Sequence, residues 1–124
     1  MANRGAPMNV ASIVLAVVLA AFFLLVGVSK VSAVGSMRER AAHAGFSVSA
    51  YRKIGGLEIA AALGLLIGIV WWPVGVAAGI GLVLLMTGAV VIHRRTGDAV
   101  RQFAPAVVTG LIAVGYLMTV LGAV

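Results

Sequence analysis

Three ionisable side chains lie within or directly beside long apolar stretches of the chain: Lys30, Glu58 and His93. An isolated carboxylate inside a membrane segment is costly, so Glu58 is expected to face the interior of a helical bundle and to find a partner there. Lys30 and His93 are the available partners at that depth. A carboxylate paired with lysine stays ionised. A Glu–His pair can instead bind or relay a proton at physiological pH.

The same three residues also fit a purely structural role. Lys30 and His93 lie near predicted helix C-termini and Glu58 lies near a helix N-terminus, so each has the charge that the helix dipole favours. Lys30 can extend its ammonium toward water along an apolar stem, and Glu58 can tie the first two helices together. The spacing leaves both interpretations open, a functional polar pocket and a structural tie, and it assigns no catalytic residue.

The composition restricts the class of protein that holds these groups. Of the 124 residues, 63% are hydrophobic and 10% are charged, whereas a soluble domain carries about 25% charged residues. The chain contains no cysteine, which excludes disulfides, thiol catalysis and iron–sulfur ligation. Two histidines and three acidic residues are too few for most metal centres, so no metal site and no intrinsic cofactor are expected.

The hydropathy pattern predicts an all-α integral membrane four-helix bundle that forms a single transmembrane domain over residues 1–124. The bilayer core takes about 20 helical residues, and four apolar runs are long enough, at about 8–28, 54–70, 73–92 and 103–121. Arg4 and the small residues at 31–33 also resemble a cleaved signal peptide, but the first run is longer than the usual signal core. The turn at 71–73 predicts an antiparallel second and third helix.

The first loop predicts a short amphipathic helix over residues 36–45. Ser36 has the position of an N-cap, Glu39 of its capping-box partner, and Gly45 of the C-terminal stop. Small residues recur at four-residue spacing in the second and third spans, as at Gly64 and Gly68. Such spacing lets helices approach closely, either within one chain or between two copies.

The basic residues predict the orientation of the chain. Of the nine Lys and Arg residues, all except Arg4 lie in residues 29–53 or 93–102. The positive-inside rule therefore places both basic loops in the cytoplasm and both termini outside, as in a multi-pass protein of the cytoplasmic membrane. No aromatic-interleaved basic domain points to nucleic acid. Contacts with anionic lipids or a partner protein are expected from Arg38, Arg40, Arg52, Lys53, Arg94, Arg95 and Arg101.

Two sequence elements resemble the DoxX-like family of small bacterial membrane proteins. The first span ends in Gly-Val-Ser-Lys at 27–30, and the second opens with Ile-Gly-Gly-Leu-Glu-Ile-Ala at 54–60. The third span, which ends at His93 and is followed by a basic loop and a last span, fits the same pattern. The resemblance covers essentially the whole chain. It implies that Lys30, Glu58 and His93 are the characteristic polar positions, and that the protein is similar to membrane subunits of quinone-linked oxidoreductases.

Several functions follow from these features. The first is a membrane subunit of a redox complex, in which the three polar residues hold a bound quinone or an oxidoreductase partner at the inner leaflet. The second is an assembly factor or lipid-binding scaffold without chemistry. A small proton-coupled transporter fits less well, because the first span has no carboxylate and Glu58 is shallow. An independent enzyme needs a pocket that the sequence does not reveal.

Overall fold

The computed structural model describes residues 8–32 and 35–122, and the chain is helical there apart from turns and short connections. The predicted all-α fold is confirmed. The described residues form five helices, namely α1 (Val10–Ser32), α2 (Gly35–His43), α3 (Val48–Ile67), α4 (Trp72–Arg95) and α5 (Val100–Leu121).

The four long helices pack as a closed ring in the order α1, α3, α4, α5, in which α5 returns to α1. Residues from all four helices meet in one apolar core. Other large apolar side chains point outward, such as Leu25 of α1 and Leu84 of α4, which are 73% and 67% exposed. Extensive exposed apolar surface is typical of a protein that contacts a membrane. The largest buried apolar side chains are Tyr116, Phe23, Leu19, Leu65 and Leu82.

Three helices, α1, α4 and α5, are long and apolar enough to cross a membrane. They correspond to the predicted spans 8–28, 73–92 and 103–121, with ends shifted by a few residues. Helix α3 differs from the predicted span 54–70, because it begins at Val48 and therefore includes Arg52 and Lys53 as well as Glu58. These three charged residues distinguish the composition of α3 from that of the three apolar helices, although α3 packs against α1 and α4.

The connection between α3 and α4 is as tight as expected, although it lies at residues 68–71. Gly68 packs directly on the backbone of Gly75, since a Cβ added to Gly68 would lie 2.5 Å from the Cα of Gly75. Pro73 is in the first turn of α4, where its missing N–H leaves no helical hydrogen bond unmade. Gly64 packs on Ala78 in the same way. Small residues at this spacing thus serve packing within the chain.

Helix α2 begins at Gly35, so the predicted N-cap Ser36 is inside the helix rather than its cap. Gly45 follows the helix with a φ of 84°, a conformation that favours glycine and ends helices. Ser47 then caps α3, because its side-chain oxygen accepts the N–H of Ala50 at 3.0 Å. Ala41 is the buried residue of α2, and its other described side chains lie nearer the surface.

A polar tie joins α1 to α5 at the end of the bundle where α1 begins. The hydroxyl of Ser12, which is fully buried, lies 2.9 Å from the hydroxyl of Thr119 and 3.1 Å from the side-chain oxygen of Asn9. The Asn9 oxygen also accepts the backbone N–H of Ser12 at 2.9 Å. None of these residues was predicted as a site. The tie satisfies polar groups that the surrounding apolar helices would otherwise leave unpaired.

Tyr116 of α5 is fully buried, and its hydroxyl lies against Gly75. In the described part of the chain, this hydroxyl has no hydrogen-bond partner. An unpaired buried donor costs about 1 to 3 kcal/mol. Tyr116→Phe is therefore expected to raise the thermal unfolding temperature of the purified protein. A lower unfolding temperature would contradict this, because it would mean that a buried water or lipid group satisfies the hydroxyl.

Candidate functional site

Lys30 and Glu58 are brought together by a close crossing of α1 and α3. The helices cross at Gly27 and Gly55, where a Cβ added to Gly55 would lie 2.8 Å from the carbonyl oxygen of Gly27. The missing side chains let the two backbones touch, as small residues do in membrane bundles. Lys30 and Glu58 each lie three residues after one of these glycines. Because residues three apart share a helix face, the two side chains meet beside the crossing.

The two side chains form a buried ion pair. The Nζ of Lys30 lies 3.0 Å from Oε1 of Glu58, and the side chains are 14% and 1% exposed. Oε1 accepts no hydrogen bond from the other described residues, so the Lys30 ammonium is its partner. The ammonium also lies 4.9 Å from the ring centre of Tyr51, within cation–π range. The charge of Glu58 is therefore balanced by Lys30.

Helix α2 packs beside Lys30. Its residues Met37, Arg38 and Ala41 close against Lys30 and Tyr51, and the space between them is too small for a water molecule. Burial raises the pKa of Tyr51, and the nearby Arg40 partly opposes this effect. The phenol consequently stays protonated near neutral pH and keeps a hydrogen-bond donor beside Lys30.

A second polar cluster, the His43–Asp98–His93 cluster, lies at the same end of the bundle, where α2 and α4 end. Asp98 lies between the histidines, with Oδ1 2.7 Å from Nε2 of His43 and Oδ2 2.6 Å from Nδ1 of His93. The hydroxyl of Thr96 also donates to Oδ2 at 3.1 Å. The Asp98 side chain is 6% exposed. This carboxylate links the end of α2 to the loop between α4 and α5.

His93 therefore differs from the sequence-based expectation. Among the described residues, no hydrogen bond or ion pair joins it to Lys30 or Glu58, and its carboxylate partner is Asp98. Its ring also packs near Phe103, with centroids 6.5 Å apart. The structure thus has a Lys30–Glu58 pair and a separate His43–Asp98–His93 cluster, where the sequence had grouped three residues into one pocket.

The comparisons with known proteins place the chain in a family. A family model described as the DoxX-like family matches residues 14–116, a range that holds both polar clusters. The chain belongs to the DoxX-like family. No curated protein and no solved structure gives a significant match. Family membership and the three apolar helices together indicate that this DoxX-like protein is an integral membrane protein.

The seven basic residues that the sequence predicted to contact lipids or a partner are all exposed in this DoxX-like protein. They lie in α2, at the start of α3, at the end of α4 and at the start of α5. The seven residues are Arg38, Arg40, Arg52, Lys53, Arg94, Arg95 and Arg101.

In residues 8–32 and 35–122, no group of three or more His, Cys, Asp or Glu side chains is arranged to hold a metal ion.

Two residues of the second cluster, His43 and Asp98, were not predicted as site residues. The composition gave one indication of this cluster, because a chain with two histidines and three acidic residues offers few side chains that could pair in this way. Both histidines and one acid converge here although His43 and Asp98 are 55 positions apart. Their pairing depends on how the loops fold back, since the N–H of Asp98 bonds the carbonyl of His93 at 3.0 Å, and spacing alone does not reveal such a path.

The pH dependence of stability tests the second cluster. Hydrogen bonds lower the pKa of Asp98 from 3.8 to about 2, and the bond from His43 has a larger effect than the bond from His93. Because the folded pKa is below the unfolded one, the carboxylate adds stability above pH 3.8, and this contribution is lost as the pH falls toward the folded pKa. Asp98→Asn is therefore expected to lower the thermal unfolding temperature at about pH 5, with a difference that shrinks toward about pH 2. A constant difference over that range would contradict the assignment.

Proposed function

We propose that this DoxX-like protein is a membrane subunit or accessory of a quinone-linked redox complex, and that Lys30 and Glu58 form the polar end of its head-group site. The buried ion pair carries the proposal. A buried pair is expensive to desolvate and adds little stability compared with apolar residues of the same size, and charged groups inside membrane segments mark ligand or proton pathways.

The chemistry of a quinone head group matches these side chains. The Lys30 ammonium would donate to a quinone carbonyl oxygen, with the Tyr51 hydroxyl as a second donor beside it. Oε1 of Glu58 would orient the ammonium, or accept a hydrogen bond from a quinol hydroxyl and exchange its proton. A bound quinone would supply the redox chemistry, and an oxidoreductase partner protein would be the source or acceptor of the electrons.

The proposal includes a membrane placement. All four long helices would cross the bacterial cytoplasmic membrane, with α3 entering it at about residue 54. The exposed basic residues would lie at the cytoplasmic surface, where each Lys or Arg gains about 1 kcal/mol from anionic lipids. Both termini would then be outside, and the Lys30–Glu58 pair would lie at the level of the inner leaflet.

Quinone retention tests the proposal. The tagged protein is extracted in mild detergent, and the quinone bound per chain is quantified by mass spectrometry together with any co-purifying protein. We expect wild type and Glu39→Gln to retain quinone and Glu58→Gln to lose it. Glu39 is the matched control, because it is the other glutamate of the chain and is exposed. Equal retention in wild type and Glu58→Gln, or none in wild type, would overturn the proposal.

A lipid-binding scaffold is the second candidate, and a different observation favours it. An open apolar groove of about 590 Å³ runs between α3 and α4, on the small-residue faces of the two helices. A lipid acyl chain fits such a groove. In this alternative the Lys30–Glu58 pair ties α1 to α3, and the purified protein would carry phospholipid without quinone. Among the residues that line the groove are Ala60, Gly64, Ala77 and Gly81.

A further inference from the structure

The Lys30–Glu58 pair is closed to ligands in this conformation. Glu58 is 1% exposed, and the Lys30 side chain is 14% exposed. The residues of α2 that close against Lys30 and Tyr51 leave no room for water. A head group that reaches the ammonium from this side can do so only after α2 moves away.

Helix α2 is the least firmly held helix in the described residues. It buries one residue, Ala41, whereas each of the four long helices buries four or more. Its main packing partner is α3. Elements with few buried apolar contacts open at low free-energy cost. The N–H groups of Gly45 and Phe46 bond back to Ala42 and Ala41 of α2, and Ser47 caps α3. The connection between Phe46 and Ser47 is therefore where α2 can turn relative to α3.

A contact between side chains joins the last residue of α2 to the loop between α4 and α5. His43, the last residue of α2, reaches Asp98 in the loop between α4 and α5. Asp98 is itself held in place by His93 and Thr96 and by its own backbone hydrogen bond. His43 is 58% exposed, so little other packing holds its side chain. The Asp98 carboxylate is therefore held by several groups of its own loop and of α4, whereas most of the His43 side chain is exposed.

We propose that α2 is a lid over the Lys30–Glu58 pair, and that the contact between His43 and Asp98 is the latch that keeps it closed. The inference rests on the proposed function only for the identity of what enters, a quinone head group from the inner leaflet. Opening would move α2 relative to α3 at the Phe46–Ser47 connection and uncover the Lys30 ammonium. The lid would keep water from the pair until a head group or a partner protein displaces α2.

Lysine reactivity tests the lid without any quinone. Lys30 and Lys53 are the two lysines of the chain, and Lys53 is exposed, so it serves as an internal reference. The full-length protein in lipid nanodiscs is labelled with a water-soluble amine-reactive ester, and labelling at each lysine is followed by peptide mass spectrometry. Loss of a charge-assisted hydrogen bond is expected to raise the Lys30-to-Lys53 labelling ratio by about tenfold in both Asp98→Asn and His43→Gln.

The control is Glu39→Gln, which changes an exposed α2 residue one turn before the latch and is expected to leave the ratio at the wild-type value. An unchanged ratio in both latch variants would overturn the lid. A rise in Asp98→Asn alone would overturn the latch, because it would point to collapse of the α4–α5 loop. His43 is largely exposed, so its variant is expected to fold normally.

The two proposals fail in different ways. If the latch variants expose Lys30 but no quinone co-purifies with the protein, the lid stands and the quinone function falls. If quinone retention requires Glu58 but Lys30 reactivity is the same in wild type, Asp98→Asn and His43→Gln, the function stands and the lid falls.

Discussion

Lys30→Met is expected to lower the free energy of unfolding by about 3 to 5 kcal/mol, the usual cost of breaking a buried pair by removal of one partner. The substitution keeps the length and apolar stem of the side chain but leaves the Glu58 carboxylate almost fully buried without its cation. Glu58→Met is expected to cost less. The Lys30 ammonium is partly exposed and lies over Tyr51, so it can extend toward water along its stem.

A double-mutant cycle measures the interaction between the two residues. Lys30→Met/Glu58→Met removes both charges together, and its loss of stability is expected to be smaller than the sum of the two single losses, with a coupling free energy of up to about 3 kcal/mol. Unfolding is followed in mixed detergent micelles as the denaturing detergent is increased. Additive losses from the two single variants would contradict the pairing of Lys30 with Glu58.

The same double variant separates a structural pair from a functional one. If the pair only ties α1 to α3, the double variant keeps its fold and its co-purifying molecules, because apolar residues of similar size replace a buried pair at little cost. If the pair holds a quinone head group, the folded double variant loses the quinone. A single variant can lose quinone only because it loses stability. The double variant separates the two effects, because it is expected to stay folded.

The sequence predicted the helical elements well where apolar residues run without interruption. The first, third and fourth predicted spans correspond to α1, α4 and α5, since lipid leaves a continuous apolar segment few alternatives to a helix. Helix α3 was harder to delimit. Its capping serine at Ser47 lies seven positions before the apolar run begins at Ile54, so hydropathy marks where the apolar part of the helix starts and misses its charged first turns.

The sequence left two partners open for Glu58, and the structure pairs it with Lys30 rather than with His93. The sequence put Lys30, Glu58 and His93 at one boundary, because Lys30 and His93 follow apolar runs and Glu58 lies near the start of one. In the structure, Glu58 lies in the middle of α3, which begins ten residues before it. Which residues meet depends on the rotation of each helix about its axis, and each residue turns a helix by about 100°. The crossing at Gly27 and Gly55 sets that rotation for α1 and α3. The loop after α4 folds back, so that Asp98 becomes the partner of His93 instead.

Alanine substitutions at two neighbouring glycines of α3 are expected to change the stability of the protein in opposite directions. In Gly55→Ala, the new Cβ would lie 2.6 Å from the Cβ of Lys30 and 2.8 Å from the Gly27 carbonyl oxygen. Since these are backbone atoms or atoms next to the backbone, α1 and α3 must move apart, and overpacking of this kind typically costs about 1 to 3 kcal/mol. In Gly56→Ala, the new Cβ meets no atom within 4 Å, so the helix gains about 0.5 to 1 kcal/mol from the better helix former.

The pair of variants also links the crossing to the site, since both make the same chemical change one residue apart on one helix. Gly55→Ala is expected to lower the unfolding temperature, and it is also expected to raise the Lys30-to-Lys53 labelling ratio, because the Lys30 side chain is pushed from Glu58. Gly56→Ala is expected to raise the unfolding temperature and to leave the ratio unchanged. Equal effects at the two positions would mean that α1 and α3 do not cross at Gly27 and Gly55. Loss of stability in Gly55→Ala with an unchanged ratio would mean that the crossing holds the helices together without setting the position of Lys30.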